Sequence, residues 1–133
     1  MPDSWKDNHA LYLIVVGALA WLVPGAGHFL LDKRRQAIVI CVAVLLTFLV
    51  GLYVGSVGVI DPVGAKPWYA AQLMNTPAVA LLARISTAGN YPVYGRPNEI
   101  GQIYTSIAGL LNLLCIVNAI YLAHLRGVEK ARA

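Results

Sequence analysis

The most constraining feature of this sequence is a set of long stretches without any charged residue. The ten basic and six acidic residues of the chain leave four uncharged stretches, at positions 8–31, 36–60, 67–83 and 100–125. An α-helix needs about 20 mostly apolar residues to cross a bilayer. All of the stretches except 67–83 meet this length. The sequence therefore predicts an all-α integral membrane protein of one domain (1–133), with three spans at about 10–31, 37–58 and 100–125.

The composition excludes the usual soluble classes. Hydrophobic residues make up 59% of the chain and charged residues 12%, whereas soluble domains are about 45–50% apolar and about 25% charged. A surface that binds nucleic acid needs basic side chains clustered on one face, and the bases here are divided between separate positions. We therefore expect the lipid bilayer as a partner and no nucleic acid.

The placement of the bases predicts an orientation. They form one block between the first two spans and another after the third: Lys33, Arg34 and Arg35, then Arg126, Lys130 and Arg132. Short basic loops stay on the cytoplasmic side of a membrane, and the stretch before the first span is net negative. The prediction is a multi-pass protein with its N-terminus outside and its C-terminus cytoplasmic.

The first predicted span contains a helix-breaking segment. Pro24 cannot donate to the helical ladder and clashes with the preceding turn, and Gly25 and Gly27 follow it. A broken helix at membrane depth is tolerated only where protein or water meets the freed backbone groups. We therefore expect this segment to face a neighbouring helix.

The other two spans carry stripes of small and polar residues. Gly51 and Gly55 end a four-residue repeat on the second span, and Gly109 and Asn112 belong to a three-residue repeat on the third. Small residues at these spacings let helices approach closely, and polar side chains in such stripes bond across helices. The stripes therefore predict helix-packing faces.

The loop 59–99 is rich in proline and aromatic residues. Proline favours the first turn of a helix, so Lys66-Pro67 and Thr76-Pro77 predict short helices near 67–74 and 77–87, with Gly89 as a stop. Tyrosine and tryptophan gather at the membrane surface, as Tyr91 and Tyr94 would here. We predict an external cap that lies on the outer leaflet or dips into it.

The broken segment also carries a family resemblance. Gly25-Ala26-Gly27-His28-Phe29, followed by the basic turn 33–35, resembles the signature of the two-transmembrane-helix hairpin domain. It is similar, too, to small bacterial membrane proteins of unknown function. The resemblance covers about 10–58, and Asp32 stands where the hairpin family usually has glycine. It implies a helical hairpin in the bacterial inner membrane and no established catalytic activity.

Two residues of that segment are candidates for chemistry. His28 and Asp32 lie four residues apart, and an imidazole beside a carboxylate could carry protons or help bind a metal. His124 and Cys41 are predicted at a similar depth, so the four could meet. They lack the local ligand spacing of zinc sites, and we predict no metal and no cofactor. In the alternative, His28 donates to a carbonyl freed by Pro24, and Asp32 pairs with a base of the turn, Lys33 or Arg35.

No catalytic template appears, and no acidic residue lies inside a span. Gly-x-Ser-x-Gly and His-Glu-x-x-His are both missing. The sequence thus predicts a non-enzymatic structural or accessory subunit that binds other membrane helices. The alternative is a component of a transporter or channel, as a homo-oligomer through Gly51 and Gly55.

Overall fold

A computed structural model describes residues 2–89 and 96–132. Within these ranges the chain is helical and contains no strand, which confirms the predicted all-α class. The helices are α1 (Pro2–Leu22), α2 (Ala26–Leu30), α3 (Arg34–Gly55), α4 (Lys66–Leu73), α5 (Ala78–Ala88) and α6 (Arg96–Arg132), with a 3₁₀ turn at Val57–Val59.

Two helices of the described ranges are long and apolar enough to cross a membrane, Arg34–Gly55 and Asn98–Arg132. At 1.5 Å per residue, the 22 residues of α3 extend about 33 Å, and a hydrocarbon core is about 30 Å thick. These helices correspond to the second and third predicted spans. The first predicted span is not one helix, since it is divided between α1 and α2.

The packing of α3 on α6 depends on small residues. A Cβ on Gly51 would lie 2.7 Å from Cγ2 of Thr105, and a Cβ on Gly101 would lie 2.8 Å from Cα of Gly55. The helices run antiparallel with their backbones nearly in contact. Because Gly51 and Gly55 are buried against α6 of the same chain, they are not available as the predicted contact between copies.

The break at Pro24 reverses the direction of the chain. Proline disfavours helical backbone at the residue before it, and Gly25 has a φ of 88°, a left-handed value that glycine adopts freely. The short helix α2 then returns along α1, so that a Cβ on Gly27 would lie 2.9 Å from Cβ of Ala20. We call α1 and α2 the N-terminal hairpin. The expected break at Pro24 is present, but a third span over 10–31 is not shown, because the chain doubles back at this point.

The start of α1 and the end of α6 lie at the same end of the bundle. Nε2 of His9 is 3.1 Å from Nδ1 of His124, and the guanidinium of Arg126 donates to the carbonyl of Leu31. This end holds both blocks of bases, 33–35 and 126–132, and we call it the basic end. The predicted placement of the two chain ends at opposite ends of the bundle differs from the structure, since it required the first span to cross.

The helices α4 and α5 form a second hairpin, the central hairpin. They begin close to the positions predicted, and the N–H of Gly89 closes α5 by donating to the carbonyl of Ile85 at 3.1 Å. The helix α4 runs parallel to α6, and α5 returns toward the 3₁₀ turn, burying Val79 and Ala83 in the main hydrophobic cluster. The predicted external cap is therefore packed into the bundle over the range 66–88. Tyr91 and Tyr94 lie outside the described residues.

Candidate functional site

The tips of the two hairpins meet beside the middle of α6. The last carbonyl groups of a helix have no partner within that helix, and α1 and α4 both end at these tips. Nε1 of Trp21 donates to the carbonyl of Leu73 at 3.0 Å, and Oγ1 of Thr76 donates to the carbonyl of Leu22 at 3.0 Å. Each hairpin thus caps the helix end of the other.

Asn112 of α6 joins this contact from the side. Its fully buried side chain lies between the hairpins, with Nδ2 2.9 Å from the carbonyl of Met74, 2.9 Å from that of Asn75 and 3.5 Å from that of Ala20. One amide therefore binds both hairpins to α6. We call residues 20–22, 73–76 and Asn112 the hairpin junction.

A line of polar contacts runs from the junction along α4 and α6, away from the basic end. Nε2 of Gln72 donates to Oγ1 of Thr105 at 2.8 Å and to the carbonyl of Val59 at 3.0 Å, and Oγ of Ser106 donates to the carbonyl of Trp68 at 3.3 Å. The helices α4 and α6 are in close contact at Gly109, because a Cβ at this position would overlap the carbonyl of Ala71. The stripe of small and polar residues on α6 lies under α4.

Several buried polar atoms of this region have no partner among the described residues. They are Oδ1 and Nδ2 of Asn75, Oδ1 of Asn112 and Oε1 of Gln72. A buried polar group left unpaired costs about 1–3 kcal/mol, so each of these four atoms lowers the stability of the fold. Three of the four atoms are acceptors, and none of the residues that form the junction is charged.

The His28 and Asp32 pair is not assembled as a site. Nε2 of the buried His28 lies 3.1 Å from Nδ2 of Asn118, and its Nδ1 has no partner within the described chain, so the expected bond to a freed carbonyl is not formed. Asp32 is exposed, and no ion pair joins it to any residue the structure describes. Its φ of 59° is the left-handed value that aspartate tolerates better than most residues. Glycine, which the hairpin family usually has at this position, adopts such a φ without strain.

The structure does not bring together the four residues that could hold a metal. His124 lies beside His9, with ring centroids 5.3 Å apart, and His28 lies beside Asn118. Over residues 2–89 and 96–132, no group of three or more histidine, cysteine, aspartate or glutamate side chains is placed to bind a metal ion.

Sequence reasoning identified Asn112 but did not predict the polar contacts of Trp21, Gln72 and Asn75. It used Thr76 only to place the start of a helix. Trp21 lies in the last turn of α1, before the break at Pro24, and Thr76 lies directly before Pro77, which precedes α5. Gln72 and Asn75 are the two amides in the uncharged stretch 67–83. An amide inside a strongly apolar stretch is costly without a partner, and this signal could have identified them.

Comparison with known proteins identifies a family without assigning an activity. No curated protein and no solved structure matches the chain. The resemblance to the two-transmembrane-helix hairpin domain is not confirmed. A family model described as "Family of unknown function (DUF6677)" matches residues 15–130, which is most of the chain. The protein therefore belongs to this family of unknown function.

Proposed function

We propose that the protein is embedded in a cell membrane, with α3 and α6 as its spans and the basic end on the cytoplasmic side. Only 22% of the most apolar part of α3 and 33% of that of α6 is buried within the protein. The core helix of a soluble protein is mostly buried, so these exposed apolar faces favour contact with lipid. Both blocks of bases lie at one end, in agreement with the preference of basic loops for the cytoplasm. The start of α1 is then cytoplasmic as well.

In this membrane the protein acts as a component of a transporter or channel, without enzymatic activity. The observation that carries the proposal is the meeting of two hairpins that enter from opposite ends and stop beside Asn112. The apolar part of α1, Asn8–Leu22, extends about 22 Å, less than the thickness of the hydrocarbon core. Broken helices that end near mid-membrane are the usual framework of substrate and ion sites in transporters.

The chemistry of the junction favours a small monovalent cation. The helices α1 and α4 both direct their C-terminal ends to it, and helix C-termini carry partial negative charge. The unpartnered oxygens of Asn75 and Asn112 are neutral ligands of the kind that replace water around a partly dehydrated cation. Without a carboxylate, the junction offers little compensation for a divalent ion.

The test is cation flux through liposomes that contain the purified chain. Asn75→Leu removes two side-chain atoms that have no hydrogen-bond partner, so we expect an unchanged or slightly higher stability and a loss of Na⁺ and K⁺ efflux of at least tenfold. Asn118→Leu is the control, since it removes the same amide from an exposed position of α6 near the basic end. Efflux that is absent from wild type, or equal in wild type and Asn75→Leu, would show that the junction has only a structural role.

We propose the accessory role as the second candidate, and one observation favours it. The outward face of α3 is a continuous exposed stripe at helical spacing: Ile38, Val42, Leu46, Leu49 and Tyr53. Such a stripe could bind helices of another membrane protein. Affinity purification in mild detergent distinguishes the candidates, because an accessory subunit should retain a stoichiometric partner that is lost when Leu46 and Leu49 are replaced by tryptophan.

A further inference from the structure

An apolar groove opens between the N-terminal hairpin and α3. Its volume is about 480 Å³, and its lining is wholly apolar or small, including Leu19, Val23, Phe29, Ile38 and Cys41. The first four of these are partly exposed. The volume is within the range of small-molecule sites, about 300–1,000 Å³. In the membrane proposed above, this groove would face the acyl chains of the lipid.

The groove leads to a concentration of positive charge at the basic end. The guanidinium carbon of Arg34 lies 5.8 Å from the ring centroid of Phe29, a groove residue, so the charge stands directly beside the apolar lining. The turn 32–36 itself forms a concave surface of about 400 Å³ that includes Lys33, Arg34 and Arg35. Asp32 supplies one opposing carboxylate, and the turn carries a net charge of +2, from three bases and one acid.

We propose that this groove and turn together bind an anionic phospholipid of the cytoplasmic leaflet, with an acyl chain in the groove and the phosphate headgroup on Lys33, Arg34 and Arg35. Charge complementarity selects the occupant, because basic residues beside the end of a membrane helix attract anionic headgroups. A zwitterionic lipid has no net charge to match this turn. A helix of a partner protein would fill the apolar part but leave the bases without a counter-charge. The proposal requires the membrane location proposed above and does not depend on ion transport.

The experiment uses the full chain in mild detergent, titrated with phosphatidylglycerol or with phosphatidylcholine of the same acyl chains, and follows binding by native mass spectrometry. Wild type should bind phosphatidylglycerol at least tenfold more tightly than phosphatidylcholine. The double variant Arg34→Gln/Arg35→Gln should lose this preference. Lys130→Gln/Arg132→Gln is the matched control, because it removes the same charge from the same end of the bundle, away from the groove, and should retain the preference.

A second variant tests the groove itself. Ile38→Trp fills it from an exposed position, so we expect phosphatidylglycerol binding at least fivefold weaker, while inorganic phosphate should compete poorly with the lipid for wild type. Equal binding of the two lipids would overturn the proposal. So would an equal loss in the two charge variants. Unchanged binding in Ile38→Trp, or full competition by phosphate, would reduce the site to a headgroup contact and contradict the role of the groove. Cation flux is not measured in this experiment, so its outcome is separate from that of the transport proposal.

Discussion

Replacing Asn112 by leucine should open the hairpin junction, because leucine has a similar size and cannot donate. The substitution removes the two bonds of 2.9 Å to the carbonyls of Met74 and Asn75. Each buried acceptor left unpaired costs about 1–3 kcal/mol, which sets a range of about 2–6 kcal/mol. Two facts place the expected loss in the lower part of this range. Measured polar contacts between membrane helices average only about 0.6 kcal/mol. The substitution also removes Oδ1 of Asn112, a buried atom without a partner. We therefore expect a loss of about 2–4 kcal/mol.

Thermal unfolding in mild detergent, followed by circular dichroism, measures this loss. For a chain of this size the expected loss lowers Tm by roughly 5–15 °C. Asn118→Leu is the control on the same helix, because this exposed asparagine has one described side-chain contact, with the buried His28. That contact is only partly buried, so its loss should cost about 1 kcal/mol, less than the loss expected for Asn112→Leu. Equal Tm values for Asn112→Leu and wild type would refute the conclusion that this amide holds the hairpins to α6.

Three further predictions concern the course of the chain at the N-terminal hairpin. Gly25→Ala, just before α2, should lower Tm by more than an alanine substitution at any position within α2, since φ is 88° and the added Cβ would overlap the carbonyl of Ala37. An unchanged Tm would contradict the described reversal. Asp32→Gly should keep or raise stability by up to about 1 kcal/mol, since left-handed backbone at φ 59° strains a residue with a Cβ; a marked loss in the same thermal assay would indicate a role for the carboxylate. Cysteines introduced at Asn8 and Lys130, in a chain without native cysteines, should react with an impermeant maleimide from the same side of the membrane. Labelling from opposite sides would show that the first apolar stretch crosses the membrane.

Local signals in the sequence were sufficient to predict where most helices begin and end. The pairs Lys66-Pro67 and Thr76-Pro77 predicted α4 and α5 to within a few residues, because proline at a helix start acts through its own fixed φ and its missing N–H. The apolar length of α3 and α6 was equally visible, since each is longer than the about 20 mostly apolar residues that a membrane span needs.

The path of the chain between these helices was not predictable in the same way. A break at Pro24 is compatible with either a kinked span or a reversal, and the choice depends on contacts far away in sequence. The reversal brings Ala20 to Asn112, 92 residues along the chain, and Leu22 to Thr76, 54 residues along it. The first apolar stretch is long enough to cross a membrane once, so the sequence predicted a single span there. No local signal shows that α1 runs in one direction and α2 in the other.

The junction also explains why the two hairpins are best regarded as one unit. The carbonyl of Leu22 is capped by the central hairpin, and the carbonyl of Leu73 is capped by the N-terminal hairpin. Neither hairpin can leave without exposing helix ends that a bilayer cannot hydrogen-bond. Water or a cation can compensate for them, however, and each bond contributes only about 1 kcal/mol net. Separation of the tips therefore costs little when a polar solute enters and much when it does not. The transport role that we propose requires this difference.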